Sequence, residues 1–386
     1  MARKPPSSPP LDLFAEFGGA EKCRQLSSTF YTRVVQDPVL RPLFPGKTQK
    51  CAIEEFSAFL AQFLGGPARH TQRRWWLSLR ESHLRFHIGP PEREAWMAVM
   101  TTTLREAEIS EPMRSALLEL FADASTYVAN AGPPGGAAPA PPQHSETGEQ
   151  IRLRWEEQLA LDDAVAAARQ GQLDRVAALA ASPHLQCRFA RSRSVLANFV
   201  GVLLGTGLPT IAGYAHTTLL ANPDLAQERY SGRTLLHAAS AAGCLPAVAT
   251  LLQLGADANV KTDGGHTPLY CVANECCAGG GDVVKALVRA GARVDAADGV
   301  KRSTPLHMAA RRDNVGVATA LLECGADLEA RDSLSETPLR RAVNCGQIQV
   351  AALLMAHGAN RHSAGSKGQT PLTAARSAGM KRLLQT

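Results

Sequence analysis

The sequence predicts an all-α chain built from two unlike helical architectures. Three observations carry this. The first 130 residues place apolar side chains at helical spacing and show no strand-like alternation. The last 155 residues hold five copies of one short motif, at steps of 33, 37, 33 and 33. Aromatic residues are unevenly shared, with 14 of the 20 Phe, Trp and Tyr in residues 1–130. One chain with two compositions implies two ways of building a core.

Along the chain, residues 1–10 (MARKPPSSPP) read as a short disordered arm, because prolines and serines replace the apolar stretch of a secretory signal. Residues 11–131 form the first domain. Leu26, Phe30 and Val34 recur at every fourth position, Ile53, Phe56, Phe59, Leu60, Phe63 and Leu64 form a broad stripe, and Trp96, Met100 and Leu104 repeat the pattern, as do Met113, Leu117 and Phe121. Breakers at Gly18-Gly19, Asp37-Pro38, Pro45-Gly46, Gly65-Gly66-Pro67 and Gly89-Pro90-Pro91 cut this stretch into about five short helices. Residues 132–150 contain nine Pro or Gly in 19 positions, too little apolar surface to fold, and read as a linker.

Residues 232–386 carry the repeat. Its Thr falls at 234, 267, 304, 337 and 370, in GRTLLHAAS, GHTPLYCVA, RSTPLHMAA, SETPLRRAV and GQTPLTAAR. Thr is suited to cap a helix, Pro268, Pro305, Pro338 and Pro371 sit where a missing N–H costs nothing, and Gly255, Gly291, Gly325 and Gly358 suit a left-handed helix stop. Period and motif resemble the ankyrin repeat, which implies an α-solenoid whose copies are stable only when stacked. Residues 151–231 show the helix–turn–helix half of the pattern, as in LDDAVAAARQGQLDRVAALAAS, and read as two degenerate N-terminal repeats. His237 and His307 occupy the TPLH-type slot, where hydrogen bonding within and between repeats is their expected role.

In the first third, phenylalanine and tryptophan converge from several helices, as a core wrapped around something flat and apolar requires. His83 lies at helical spacing with Leu79 and Phe86 in LSLRESHLRFHIGPP. The ordered segments LFAEFGG, FYTRVVQDPVLRPLFPG, EEFSAFLAQFLGGP and LSLRESHLRFHIGPPEREAW resemble a truncated (two-on-two) haemoglobin of the tryptophan-containing group II type. The resemblance covers residues 11–130 and implies a two-on-two helical sandwich that binds haem, iron protoporphyrin IX. It assigns His83 as the proximal iron ligand, Tyr31 and Trp96 as distal hydrogen-bond donors, Phe44 as the aromatic against the porphyrin and Phe56 as an apolar distal position. Ala52 falls where many haemoglobins have a distal histidine. Arg80 and Arg85 are candidates to pair with haem propionates, or simply form a solvated basic face. His87 follows His83 by four residues, without a third ligand to make a zinc site, and Trp75-Trp76 has no assigned counterpart.

These readings imply a haem protein that binds O2, with NO as competitor, and an ankyrin region for protein–protein interaction: a gas sensor or a targeted oxygen-binding globin. The alternative is a haem enzyme performing NO dioxygenation or peroxidase-like chemistry, although no flavin or nicotinamide motif supplies electrons. Other partner classes are disfavoured. A net charge of +6 over 386 residues is too mild for a dedicated nucleic-acid binder, and no apolar run is long enough for a membrane span. Nine scattered cysteines show no disulfide framework or zinc spacing, which points to a reducing, cytoplasmic setting.

Overall fold

The computed structural model describes residues 12–44, 49–66, 78–131, 145–276, 279–365 and 368–385. The expected arm (1–10), most of the expected linker (132–144), Pro45-Gly46, Pro67, Trp75-Trp76 and Cys277 lie outside them. Asp12 accepts a hydrogen bond from the Ala15 N–H at 3.0 Å and caps α1 (Leu13–Phe17). Gly18, at φ 102°, ends it in the left-handed region, and the chain restarts at once as α2 (Gly19–Val34). Among its described residues, the stretch expected to hold about five helices therefore shows six: α3 (Lys50–Phe63), α4 (Leu79–His83), α5 (Pro90–Glu106) and α6 (Glu111–Val128) follow.

α2 turns Cys23, Leu26, Phe30 and Val34 inward and packs on α3 and α5, while α5 packs on α6. Leu13, Phe17, Phe30, Leu60, Met100, Leu104 and Leu117 are at most 1% exposed and make the common core. Each such side chain contributes about 1.5–3 kcal/mol by burial. Ile151 and Trp155 enter the same core from α7 (Glu146–Arg169). Next come α8 (Leu173–Ala180) and α9 (Pro183–Arg191).

By their contacts, the residues up to Ala166 together with Asp174–Arg191 form one unit, and Ala167–Leu173 with Ser192–Thr386 form a second. The first unit thus reaches past the expected end at 131. Its extension is held by apolar anchors such as Trp155 and by polar ties, among them the Arg154 guanidinium donating to the Phe63 carbonyl at 2.6 Å. Within the expected degenerate repeats at 151–231, the helical reading of 161–182 matches the end of α7 and α8, and α10 (Arg193–Gly205) pairs with α11 (Pro209–Ala221) in the second unit.

The second unit continues as helix pairs: α12 (Leu235–Ala241) with α13 (Leu245–Gln253), α14 (Pro268–Glu275) with α15 (Gly280–Arg289), α16 (Pro305–Arg312) with α17 (Val315–Glu323), α18 (Pro338–Cys345) with α19 (Ile348–Ala356), and α20 (Pro371–Ala374) with α21 (Ala378–Gln385). Among the described residues the only strands are β1 (Arg229–Tyr230) and β2 (Arg233–Thr234), an antiparallel pair. Thr267, Thr337 and Thr370 each accept from the backbone N–H three residues on, as helix caps do. Gly255, Gly291, Gly325 and Gly358 adopt φ between 83° and 88°, the left-handed stop expected of them. Among the described residues no helix is long and apolar enough to cross a membrane, and no group of three His, Cys, Asp or Glu is arranged to hold a metal.

His237 and His307 tie neighbouring repeats together. The Thr234 N–H donates to His237 Nδ1 at 3.1 Å, so the proton sits on Nε2, within 3.1 Å of the Val260 and His266 carbonyls. His307 repeats this with the Thr304 N–H at 3.2 Å and the Glu336 carbonyl at 2.8 Å. Burial pushes His237 from 6.5 down to about 4, and it lowers His307 too.

Two predictions follow from this packing. The unfolded chain takes up a proton near 6.5 and the folded one near 4, so His237 lowers stability as pH falls through that window, by on the order of 3 kcal/mol. Urea unfolding at pH 7 and pH 4.5 measures it. His237→Ala is expected to be less stable at pH 7 and to lose less between the two pH values; equal losses in both proteins would refute the assignment. In the first unit, Phe30→Ala opens a cavity in a close-packed core and is expected to lower stability by about 3–5 kcal/mol. A loss below about 1 kcal/mol in urea unfolding would show that the core does not depend on that ring.

Candidate functional site

A cavity of about 760 Å³ lies in the first unit, a size typical of small-molecule and cofactor sites. All five residues expected to form the site line it: Tyr31 from α2, Phe44 after the Arg41–Leu43 turn, Phe56 from α3, His83 at the end of α4 and Trp96 from α5. Ala52, Arg85 and His87 line it too. The walls are a connected aromatic shell. Phe30 packs 5.2 Å from Tyr31, 5.8 Å from Phe56 and 5.1 Å from Trp96, centroid to centroid. Phe44 stands edge-on to Tyr31 at 5.4 Å, and Trp96 meets Phe121 at 5.5 Å. Edge-to-face contacts of this kind fix ring planes as well as bury area.

His83 is positioned through its backbone and its ring. Its Nδ1 lies 2.7 Å from the Leu79 carbonyl, one turn back. A carbonyl only accepts, so Nδ1 carries the proton and Nε2 carries the lone pair. Burial holds the ring below the usual histidine range; the bond to Leu79 opposes this and the Arg85 charge adds to it. The loop that follows is pinned by Asn130, whose Nδ2 donates to the Phe86 carbonyl at 2.7 Å and whose Oδ1 accepts from the Ile88 N–H at 2.9 Å.

Tyr31 is held above the usual tyrosine range, first by burial and then by the negative charge of Glu55. Its phenol therefore stays protonated and able to donate. Arg80, one of the two candidates for the charged rim, instead lies 5.8 Å above the Tyr127 ring, whereas Arg85 lines the cavity with its guanidinium 4.6 Å from the Phe86 ring.

Sequence reasoning missed the contribution of α7. Trp155 lines the cavity and packs 5.8 Å from Tyr127. Asp162, 3% exposed, accepts from the Leu79 and Arg80 N–H groups at 3.1 Å each, at the start of the helix that carries His83. Burial pushes its carboxyl up to about 6, against the pull of its hydrogen bonds from Arg80, Gln158, Leu79 and Tyr127. The available signal was Trp155 itself, the one tryptophan in the aromatic-poor remainder of the chain.

Comparison with known proteins agrees with this architecture. The Bacterial-like globin family model matches residues 12–130. The Ankyrin repeats (3 copies) model matches 164–298, 236–332, 274–364 and 306–386. Group 2 truncated hemoglobin YjbI of Bacillus subtilis is 36% identical over 107 residues, covering 27% of this chain and 80% of that protein. Group 1 truncated hemoglobin LI410 of Chlamydomonas moewusii is 28% identical over 123 residues, 31% of this chain and 70% of that protein. Ankyrin repeat and SOCS box protein 16 of Homo sapiens is 40% identical over 109 residues, but the chain spans only 23% of that protein's length. The chain therefore belongs to the truncated haemoglobin family over its N-terminal third and to the ankyrin repeat family over its C-terminal half.

Proposed function

We propose that the N-terminal unit binds haem through His83 and takes up a diatomic gas, O2 with NO as competitor, while the repeats bind a protein. The observation that carries this reading is the His83 imidazole, its Nδ1 proton committed to the Leu79 carbonyl at 2.7 Å, on an apolar cavity that Tyr31 and Trp96 also line. Those residues fit haem. The cavity is large enough, its walls are flat aromatic rings, and its histidine is the neutral tautomer whose Nε2 ligates a metal. When bound, haem supplies an iron atom able to coordinate a diatomic ligand.

The residues divide the remaining work. Phe44 and Phe56 provide apolar faces that exclude water. Tyr31, through its phenol O–H, and Trp96, through its indole N–H, are the donors for the ligand's partly negative outer atom; such bonds strengthen where water is excluded. Arg85 offers a cation for a propionate. Trp96 and the similarity to a group 2 relative support the group II type. Fusion to repeats supports a gas sensor or a targeted oxygen-binding globin, and the nine scattered cysteines support a cytoplasmic setting.

The test is the full-length chain reconstituted with haem. A Soret band is expected in the wild type, with iron coordination lost or altered in His83→Ala. No band in the wild type would sink the haem reading, and unchanged coordination in the variant would sink the ligand assignment. Tyr31→Phe removes one hydrogen bond of about 1–1.5 kcal/mol, so O2 release is expected to speed up roughly tenfold by stopped-flow. An unchanged rate would contradict the role given to Tyr31.

A further inference from the structure

Asp162 lies beyond the globin match, which ends at residue 130, yet it acts on the histidine side of the cavity. Its two oxygens have different targets. Oδ1 accepts from the Leu79 N–H at 3.1 Å and from Gln158 Nε2 at 2.8 Å. Oδ2 accepts from the Arg80 N–H at 3.1 Å. Tyr127 adds a further hydrogen bond to the same carboxyl. Gln158 in turn accepts from Arg188 Nη2 of α9 at 3.0 Å, so the carboxylate is braced from behind.

The Arg80 N–H and the Leu79 carbonyl belong to one peptide unit, which is planar and polarisable along its length. Asp162 holds the N–H end of that unit. The carbonyl end accepts the His83 Nδ1 proton at 2.7 Å and the Ser82 hydroxyl at 2.6 Å. A negative charge at the N–H end raises the electron density on the carbonyl oxygen, and hydrogen bonds in such a chain strengthen one another. A stronger acceptor at Nδ1 makes Nε2 more basic. Metal-binding histidines are commonly tuned by a carboxylate bonded directly to the other ring nitrogen; here one peptide unit is interposed.

We propose that Asp162 is a positioning residue for His83, acting through the Leu79–Arg80 peptide to orient the imidazole and raise the basicity of Nε2. Helix α7, up to Ala166, is thereby a working part of the gas-binding unit. Burying a carboxylate costs several kcal/mol unless its bonds compensate. The four groups that bond to this one, and the second row formed by Arg188, provide that compensation. The inference rests on the reading of His83 as the iron ligand.

The experiment uses the full-length chain with haem and reads the iron–histidine stretching band of the ferrous protein by resonance Raman. Asp162→Asn keeps the shape and removes the charge. The band is expected to move to lower frequency, haem loss to a haem-accepting apoprotein to accelerate roughly tenfold or more, and the Arg80 amide of the haem-free protein to exchange faster. Read at about pH 9, where the carboxylate keeps its charge without the Tyr127 bond, Tyr127→Phe removes a competing donor from the same carboxylate, so its band is expected to stay or rise. A plain packing role predicts that both variants move the band the same way. A wild-type band position in folded Asp162→Asn overturns the proposal, as does a lowered band in Tyr127→Phe. If Asp162→Asn does not fold, the Tyr127→Phe band decides. Absence of a Soret band in the wild type overturns the haem reading instead, and the two failures are distinguishable.

Discussion

The hydrogen bond from His83 Nδ1 to the Leu79 carbonyl, 2.7 Å long, determines what the N-terminal unit is able to do. It fixes the ring's tautomer and plane, and with them the nitrogen that keeps a lone pair. Its acceptor belongs to a helix of only five residues, far too short to form alone. That helix exists because its surroundings specify it. Ser78 accepts from the Glu81 N–H at 3.1 Å, Asp162 holds the two N–H groups at the start, and Asn130 pins the loop behind. The aromatic shell supplies the other half of the constraint, with Phe30, itself part of the cavity lining, packed on Tyr31, Phe56 and Trp96.

The two units solve the same problem by different physics. The globin unit buries large rings around a cavity and leaves functional side chains on its lining. The repeat unit buries alanine, leucine and valine in thin layers, so each pair of helices depends on its neighbours. There, local order comes from recurring polar devices: a threonine cap, a proline in the first turn, a left-handed glycine, and at His237 and His307 an imidazole bonded across the repeat boundary. His237 and His307 are fully buried and His83 half-buried; all three are held below the usual histidine range, but with opposite tautomers. The acceptor or donor at Nδ1 decides between an Nε2 proton that ties two repeats together and an Nε2 lone pair, the one the proposed function uses.

Much of this was legible in the sequence. Periodicity located the stripes of α2 and α6, five registered threonines located the repeats, and ordered motifs brought Tyr31, Phe44, Phe56, His83 and Trp96 to one cavity. What was not legible is the part built from long-range polar contacts. Asp162 sits 83 positions after Leu79, and nothing local in LDDAV marks one aspartate as a buried acceptor. Likewise, Arg80 cannot be separated from Arg85 by spacing alone, because the Tyr127 ring that draws it aside comes from a distant helix. The extension of the first unit past 131 was hidden for the same reason: the polar surface of α7 looks solvated until Gln158 and Asp162 are seen buried at 1% and 3% exposure.

The most direct test is the tautomer of His83 in the haem-free, full-length protein, read by nitrogen-15 NMR of the histidine rings with His83→Gln to assign the signals. The account predicts a neutral ring at pH 7 with the proton on Nδ1 and a pyridine-type Nε2. A ring protonated on Nε2 alone, or an imidazolium at that pH, would contradict it, because the nitrogen proposed as the iron ligand would then already hold a proton.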